Sequence, residues 1–245
     1  MRCLEDQDIG FPVGGGRVVP IVPAAILYDP GRCDLPFNYR PNAMFGLQAC
    51  LAANNGSVEQ GNVGAGAGAR SGGIKGGIGT ASVVLDNGVV VGAIVAVNSA
   101  GRTFDADGNF YAGFLEMDNE FHGPLLPASS DDAVLEDGDL LQNTTIAVVA
   151  TNASLTKAEA TKVAQMADDG LARAIKVSHG TGDGDTIFAL ATGQFSGNAG
   201  RLNNIGSAAA DALSRAVIHA ILAAESNGCI ESYCDRFPEK CESNP

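Results

Sequence analysis

The chain has 245 residues, of which 45% are apolar, so it is long enough for one sizeable hydrophobic core. It carries 28 acidic and 15 basic side chains, and the resulting net charge of −13 disfavours nucleic acid or an anionic membrane as a partner. No run approaches the roughly 18 apolar residues of a membrane-spanning helix, and the N-terminus "MRCLEDQDIG" lacks the apolar core of a signal peptide. We therefore expect a soluble protein, cytoplasmic rather than secreted.

The six cysteines do not indicate a metal site. Three of them crowd the tail "GCIESYCDRFPEKC", but this segment contains no Cys-x-x-Cys pair and no nearby histidine pair, so a zinc site is not expected. A disulfide in the tail is compatible with the spacing, whereas Cys3, Cys33 and Cys50 are compatible with ordinary buried thiols. The redox compartment stays open.

The first half of the chain predicts a helix, a glycine tract and a hairpin. Asn42 can cap "AMFGLQACLAA", whose apolar spacing suits a short buried helix. The tract at residues 61–82, "GNVGAGAGARSGGIKGGIGTAS", lacks the context of a phosphate-binding or dinucleotide-binding loop, so its glycines are expected to let two backbones approach closely. Asn87-Gly88 then supplies the left-handed φ values of a tight turn between two buried, Val-rich strands.

The second half has a more compact pattern. The composition of residues 101–143 predicts a long excursion, that is, a long loop segment with little regular structure, which ends at Thr144. Strands are predicted at "TTIAVVATN" and at residues 185–193, and helices after Thr156 and at residues 207–224, which gives a layered α/β domain with helices covering sheet. The first of these helices has an apolar stripe formed by Val163, Met166, Ala167, Leu171 and Ile175.

The junction between Asn143 and Thr144 has two interpretations. In the ordinary one, asparagine ends a loop and threonine begins a strand, and the pair has no function. In the other, the Thr144 hydroxyl attacks the Asn143 carbonyl, the acyl group shifts from nitrogen to oxygen, and water releases the ester. Thr144 then becomes a new N-terminus whose hydroxyl is a nucleophile, and whose α-amine, with an ordinary pKa of about 7.7–8.0, can accept the proton.

Five ordered blocks of the sequence resemble one family of enzymes. The blocks are "GFPVGGGRVVPIVPAAILYD", "GNVGAGAGARSGGIKGGIGTAS", "GAIVAVNSAG", "NTTIAVVATNASLTKAEATKVAQMADDGLARAI" and "DGDTIFALATG". Together they resemble the self-processing amide hydrolases that include the DmpA-type aminopeptidases, the β-peptidyl aminopeptidases and the nylon-oligomer endohydrolases. The resemblance extends from residue 9 to residue 224.

This resemblance implies an N-terminal-nucleophile-like fold, an α-β-β-α sandwich that is cleaved before the nucleophile and retains both fragments. We therefore expect one sandwich domain at residues 1–226, formed after cleavage by fragments 1–143 and 144–245, and a cysteine-bearing tail at residues 227–245. Family members carry a further segment before the point that matches Met1, so the sandwich is expected to be incomplete at its N-terminus. A peptide or oligoamide substrate and a homo-oligomer are also implied, without a cofactor or metal ion.

The resemblance assigns roles to three charged residues. Asp183 and Asp185 in "GDGDT" match acidic residues beside the nucleophile, where carboxylates can orient an ammonium or a hydroxyl, although an Asp-Gly turn is the better interpretation without the family. As surface turn carboxylates, they should lose more activity than stability on replacement by alanine. Lys75 in "GGIKGGIG" matches a lysine whose charge can stabilise the nucleophile.

Two neutral residues complete the predicted site. Asn98 in "AVNSAG" fits an oxyanion-hole donor, although asparagine often ends a strand. Tyr28 matches a tyrosine near the nucleophile in the nylon-oligomer branch, and its alternative is a half-buried aromatic residue. His122, His179 and His219 match no site block, so a Ser-His-Asp mechanism has little support.

Three functions remain open from the sequence. The favoured one is a self-activated amide or peptide hydrolase, either an aminopeptidase or an oligoamide hydrolase, with Thr144 as its nucleophile. A related possibility is an acyltransferase of the ornithine acetyltransferase type, which also cleaves itself before threonine, but "QNTTI" fits that group less well. The third is an inactive shortened homologue with a binding or structural role, which would stay uncleaved.

Overall fold

The computed structural model describes residues 1–34, 36–38, 40–121, 126–129 and 143–241. The chain packs into two compact units. The first comprises Met1–Ile26 and Pro30–Val58, and the second comprises Leu27–Asp29 and Glu59–Pro245. Residues 122–125 and 130–142 of the predicted excursion before Thr144 lie outside the described residues, and His122 is among them.

The first unit contains short elements and a disulfide. Its elements are α1 (Arg2–Glu5), β1 (Phe11–Gly14), β2 (Arg17–Val19), a 3-10 turn (Arg32–Asp34) and α2 (Ala43–Ala52). The predicted cap of α2 is confirmed, because Asn42 Oδ1 accepts the backbone N–H groups of Met44 and Phe45. The prediction that this helix is buried is wrong: none of its residues is buried, and its apolar side chains surround the helix instead of forming one stripe.

A disulfide between Cys3 and Cys50 joins α1 to α2, so these two cysteines are not the free thiols that the sequence allowed. Cys234 and Cys241 form a second bridge in the tail. Disulfides persist mainly in oxidising compartments. They therefore do not favour the cytoplasmic location suggested by the N-terminus, which stays an untested prediction.

The second unit is built on a four-stranded sheet with the strand order β5-β6-β7-β8. The first two pairs are antiparallel and the last is parallel. Two short strands, β3 (Arg70–Ser71) and β4 (Ile74–Lys75), form a separate antiparallel pair. The remaining elements are β5 (Ile78–Val84), β6 (Val90–Ala96), β7 (Ile146–Thr151), α3 (Lys157–Ala174), β8 (Thr186–Ala191), α4 (Leu202–Leu222), α5 (Tyr233–Arg236), α6 (Pro238–Cys241) and 3-10 turns at Gly64–Gly66 and Gly113–Leu115.

The β5–β6 connection confirms the predicted hairpin but not its turn geometry. Gly88 has a φ of +86°, whereas Asn87 is not among the residues with positive φ. The Asn87 side chain instead accepts the N–H of Val89 at 3.3 Å. This side-chain contact shapes the turn without a left-handed asparagine.

The helices cover one face of the sheet. Gly79 and Ala81 of β5 are buried while their neighbours Thr80 and Ser82 are not, and β6 alternates in the same way. The prediction that both strands are fully buried is therefore wrong. The residues of α3 that are buried in this layer include Val163, Ala167 and Leu171 of the predicted stripe. The predicted capping box is confirmed by the paired backbone and side-chain contacts of Thr156 and Glu159.

Helix α4 lies in the core. Contrary to the sequence expectation, it is long and apolar enough by length and composition to cross a membrane, and it is the one such helix among the described residues. In the structure 78% of its most apolar stretch is buried. Burial against the sheet and α3 accounts for the apolar sequence of this helix.

Glycines allow α4 to approach the sheet closely, as the glycine tract predicted. A Cβ atom on Gly79 would overlap the carbonyl oxygen of Ala216 in α4, and a Cβ on Gly77 would lie 2.7 Å from the carbonyl oxygen of Ala220. Gly92, on β6 of the same sheet, has more room, because a Cβ atom added there would lie 3.7 Å from its nearest neighbouring atom. The helix–sheet distance therefore depends on particular glycines.

We expect Gly79→Ala to lower the free energy of unfolding by about 1–3 kcal/mol, because the added methyl group must displace backbone of α4. The control is Gly92→Ala, which has room for the methyl group and should change stability by less than about 0.5 kcal/mol. Urea unfolding of both variants measures the difference. Equal losses would show that close helix–sheet approach does not limit this position.

The segment after residue 226 packs into the second unit. Tyr233 is fully buried beside Phe104, Phe110 and Phe237. Its hydroxyl donates a hydrogen bond to the carbonyl oxygen of Gly108 at 2.5 Å. The segment predicted as a tail thus contributes an aromatic cluster to the core, while the predicted domain boundaries remain a proposal.

Candidate active site

The sheet topology determines which residues surround the Asn143–Thr144 peptide. The C-terminal end of β6 meets the start of β7 because these strands are antiparallel, and the Thr144 N–H donates to the carbonyl oxygen of Asn98 at 2.7 Å. The segment before β8 lies beside the segment before β7 because these strands are parallel, and Asn143 forms a bridge with Asp183. The peptide is held from both neighbouring strands.

The Thr144 hydroxyl lies directly against the Asn143 carbonyl group, the target of self-cleavage predicted from the sequence. Its Oγ1 donates a hydrogen bond to the Asn143 carbonyl oxygen at 2.6 Å. The same oxygen accepts the backbone N–H of Gly184 at 3.0 Å. Both Asn143 and Thr144 are buried. The carbonyl oxygen therefore has a fixed backbone donor at the position where negative charge would develop during attack.

The two predicted carboxylates hold the backbone around this peptide. Asp183 accepts the N–H groups of Ala100 at 3.2 Å and Gly180 at 3.0 Å. Asp185 Oδ1 accepts the N–H of Thr145 at 2.8 Å. Asp185 thus contacts the residue that follows Thr144, whereas Asp183 lies beside Asn143 through the backbone bridge between these two residues.

The premise that these are surface carboxylates is wrong for Asp185, whose side chain is only 6% exposed. A buried N–H that loses its acceptor costs about 1–3 kcal/mol, so alanine at either position should lower stability as well as activity. Asparagine is the sharper replacement because it retains one acceptor oxygen. The role of the carboxylates in catalysis stays a proposal.

Burial raises the pKa of Asp183, the N–H of Ala100 lowers it, and the neighbouring charge of Asp185 raises it, with a net increase above the ordinary value. The folded state therefore binds this proton more tightly than the unfolded chain. The tighter proton binding adds to the free energy of unfolding at pH values below the ordinary pKa of an aspartate. This contribution is lost as the pH rises through the raised pKa of Asp183.

We expect the free energy of unfolding of the wild type, minus that of Asp183→Asn, to fall as pH rises from about 3 to about 7, because the variant cannot ionise. Urea unfolding over this pH range measures the difference. Asp169→Asn, an exposed carboxylate on α3, is the control. A difference for Asp183→Asn that does not change with pH would contradict the prediction.

Lys75 and Asn98 are buried residues that contact backbone carbonyl groups. Lys75 Nζ donates to the carbonyl oxygens of Gly66 and Gly76, both at 2.6 Å. Asn98 Nδ2 donates to the carbonyl oxygen of Tyr28 at 3.3 Å. Asn98 thus contacts the Thr144 N–H through its main-chain carbonyl oxygen and the Tyr28 carbonyl oxygen through its side-chain amide. Direct contact of Lys75, the Asn98 amide or the Tyr28 phenol with a substrate remains a proposal.

Two neighbours of the site were not predicted. A Cβ atom on Gly184 would lie 2.9 Å from Thr144 Oγ1, so this position leaves room for the hydroxyl. His179 Nδ1 lies 2.9 Å from Asp185 Oδ2, although the family blocks gave this histidine no role. The sequence "GDGDT" contained a usable signal for Gly184, because this glycine stands between two predicted site aspartates. No local sequence pattern identifies His179. His219, on α4, instead contacts Glu120.

The described residues also form a cleft of about 740 Å³ at the opposite end of the sheet. It is lined by the hairpin turn at Asp86 and Asn87, by Phe114, and by Asp211 of α4. None of the predicted site residues lines this cleft. It is therefore distinct from the space around Thr144.

Solved structures define the class of fold. A β-aminopeptidase from a Burkholderia species is 28% identical with a TM-score of 0.52, and the match covers 77% of this chain and 54% of that one. The L-aminopeptidase D-Ala-esterase/amidase of Ochrobactrum anthropi, described as a variant of the N-terminal-nucleophile hydrolase fold, is 23% identical with a TM-score of 0.54 over 79% of this chain and 57% of its own. The predicted fold class is confirmed. The chain spans about half the length of these solved structures.

Sequence comparison then identifies the family. The model of peptidase family S58 matches residues 7–232, and the chain belongs to this family. An uncharacterized aminopeptidase of Mycobacterium leprae is 44% identical over 262 residues, which cover 97% of this chain and 70% of the relative. An uncharacterized aminopeptidase of Mycobacterium tuberculosis is 40% identical over 260 residues, with coverage of 97% and 73%.

Proposed function

We propose that this protein is an amide or peptide hydrolase that activates itself by cleavage between Asn143 and Thr144. The observation that carries the proposal is the contact between Thr144 Oγ1 and the carbonyl group of Asn143. The Thr144 N–H and the Asn143 carbonyl oxygen are also held by Asn98 and Gly184. A nucleophile fixed against a carbonyl group gains much of its rate from this alignment.

Self-cleavage would proceed in two steps. Thr144 Oγ attacks the Asn143 carbonyl carbon, the hydroxyl proton passes to the departing Thr144 nitrogen, and the carbon–nitrogen bond breaks to leave an ester. Water then hydrolyses this ester into an Asn143 carboxylate and a free Thr144 hydroxyl. The Gly184 N–H stabilises the negative charge on the carbonyl oxygen in both steps.

The mature enzyme would repeat this chemistry on a substrate. The free α-amine of Thr144 accepts the hydroxyl proton, Oγ attacks the substrate carbonyl group, and the amine product leaves with the returned proton. Water hydrolyses the acyl-enzyme. Both fragments should remain associated, because β6 and β7 lie on opposite sides of the cut and pair along their length.

An amide bond near a free amino group is the favoured substrate. The named aminopeptidase relatives support this class, and a homo-oligomer remains part of the proposal. Asp168 on α3 and Asp183 in the loop before β8 each interact electrostatically with Asp185, whose side chain contacts the residue after Thr144, and negative charge of this kind suits a substrate ammonium group. Oligoamides with a free amine have the same chemistry.

Mass spectrometry of the purified full chain tests the activation step. We expect fragments of 143 and 102 residues with Thr144 at the new N-terminus. Hydrolysis is then measured with α- and β-aminoacyl anilides, a 6-aminohexanoate oligomer, and matched N-acetylated substrates. Cleavage of the free-amine forms alone supports the proposal. An intact chain would overturn self-activation, and acyl transfer from an acyl-ornithine to glutamate without amide hydrolysis would favour the acyltransferase.

A further inference from the structure

His179 lies in the loop between α3 and β8 and contacts two carboxylates. Its Nδ1 is 2.9 Å from Asp185 Oδ2, and its Nε2 is 3.7 Å from Asp168 Oδ2 on α3. Asp185 is nearly enclosed, whereas His179 is 38% exposed. The imidazole ring therefore lies between the helix and the buried carboxylate, with one nitrogen directed to each.

The backbone of His179 is in an unusual conformation. Its φ is +53°, a left-handed value that costs a non-glycine residue about 1–2 kcal/mol. Glycine would adopt this conformation without that cost, and Gly180 follows directly in the chain. A strained histidine at this position implies that the contacts of its side chain compensate for the strain.

Asp185 connects His179 to the cleavage point. One carboxylate oxygen faces the imidazole ring, while the other accepts the N–H of Thr145. The Thr145 carbonyl oxygen accepts the N–H of Thr186. The Thr145 hydroxyl is buried and has no hydrogen-bond partner among the described residues. The alignment of Thr145 therefore depends on main-chain contacts, of which the Asp185 carboxylate supplies one.

We infer that His179 is a positioning residue, which holds the Asp185 carboxylate in the orientation that fixes Thr145 and thereby the Asn143–Thr144 peptide. The other charged groups that interact with this pair are Asp168 and Asp183. A ring nitrogen at hydrogen-bond distance from Asp185 Oδ2 can hold this carboxylate in one orientation beside its acidic neighbours. The inference rests on the proposed self-cleavage for its functional consequence, but the positioning effect can be measured without it.

The structural test uses the uncleavable Thr144→Ala precursor and follows amide hydrogen exchange at Thr145. Adding His179→Ala should accelerate exchange at Thr145 by about tenfold while leaving the central β7 amide of Val149 unchanged. His179→Asn should restore most of the protection, because asparagine tolerates left-handed φ values and retains an N–H donor for Asp185. Asp169→Asn, on the same helix as Asp168, is the matched control and should have no effect.

The functional test measures the first-order rate of self-cleavage after refolding of the full chain. We expect His179→Ala to slow cleavage about tenfold or more, His179→Asn to recover most of the rate, and Asp169→Asn to match the wild type. Unchanged Thr145 exchange in His179→Ala would overturn the inference, as would equal losses in His179→Ala and His179→Asn. If the wild type stays intact while Thr145 exchange responds to His179, the proposed function fails and the positioning role stands.

Discussion

Replacing Thr144 with alanine should abolish both self-cleavage and substrate hydrolysis. Alanine has no hydroxyl to attack the Asn143 carbonyl group or to carry the acyl group, and it loses the contact at 2.6 Å to the carbonyl oxygen. We expect a single intact chain by mass spectrometry and a fall in hydrolysis of at least about 10³-fold. The folded structure should persist, because removal of a hydroxyl at the start of β7 leaves the strand pairing in place.

Serine and cysteine at this position refine the prediction. Thr144→Ser retains the hydroxyl and should keep part of both activities, whereas Thr144→Cys can cleave yet turn over poorly because its thiol differs in pKa and geometry. Thr103→Val is a control that removes a buried hydroxyl with no described partner, and it should be cleaved like the wild type. Edman sequencing that finds another N-terminus, or hydrolysis that survives in Thr144→Ala, would refute the nucleophile assignment.

The second large effect is expected at Gly184, where an added methyl group would meet the hydroxyl of Thr144, the proposed nucleophile. A Cβ at this position would lie 2.9 Å from Thr144 Oγ1, which is closer than ordinary van der Waals contact. Gly184→Ala keeps the N–H that contacts the Asn143 carbonyl oxygen but displaces the hydroxyl or the donor. A misplacement of about 1 Å costs roughly 10²-fold in rate, so self-cleavage should slow by a factor of about 10–100.

Refolding the Gly184→Ala precursor and following fragment appearance measures this effect. Gly92→Ala is the matched control, since it adds the same methyl group to the same sheet in open space. The stability of both precursors is compared by urea unfolding in the Thr144→Ala background, which separates crowding of the site from loss of fold. Cleavage of Gly184→Ala at the wild-type rate would show that the hydroxyl is not confined by this glycine.

Local features of the second unit could be predicted from the sequence because they depend on neighbouring residues. The hairpin around Gly88, the capping box of Thr156 and Glu159, and the helices and strands after Thr144 all have short-range signals. The predicted boundaries of these elements differ from the observed ones by a few residues. Helix α4, for example, begins at Leu202 and not at residue 207. The choice of Thr144 as a candidate came from an abrupt change of pattern together with the family resemblance.

Burial of individual elements was less predictable. Helix α2 has enough apolar residues to be buried but lacks a single apolar face, and the structure leaves it exposed. The hairpin segment of β5 and β6 is largely apolar, but its residues are buried in alternation and not along both faces. Apolar composition gives the tendency of a segment to be buried, whereas the neighbouring elements determine which side chains are covered.

The sequence by itself determined the order of strands and helices, the caps, the glycine positions and the residue types available for catalysis, since each follows from local periodicity and side-chain chemistry. Only the tertiary structure decided that the Gly184 N–H meets the Asn143 carbonyl oxygen, that Asp185 holds Thr145, and that His179 joins the site. The first two of these contacts connect the segment before β7 to the segment before β8, which lies about 40 residues later in the chain, through the register of the parallel β7–β8 pair. A shift of one residue in that register would replace every partner, and no local pattern encodes it.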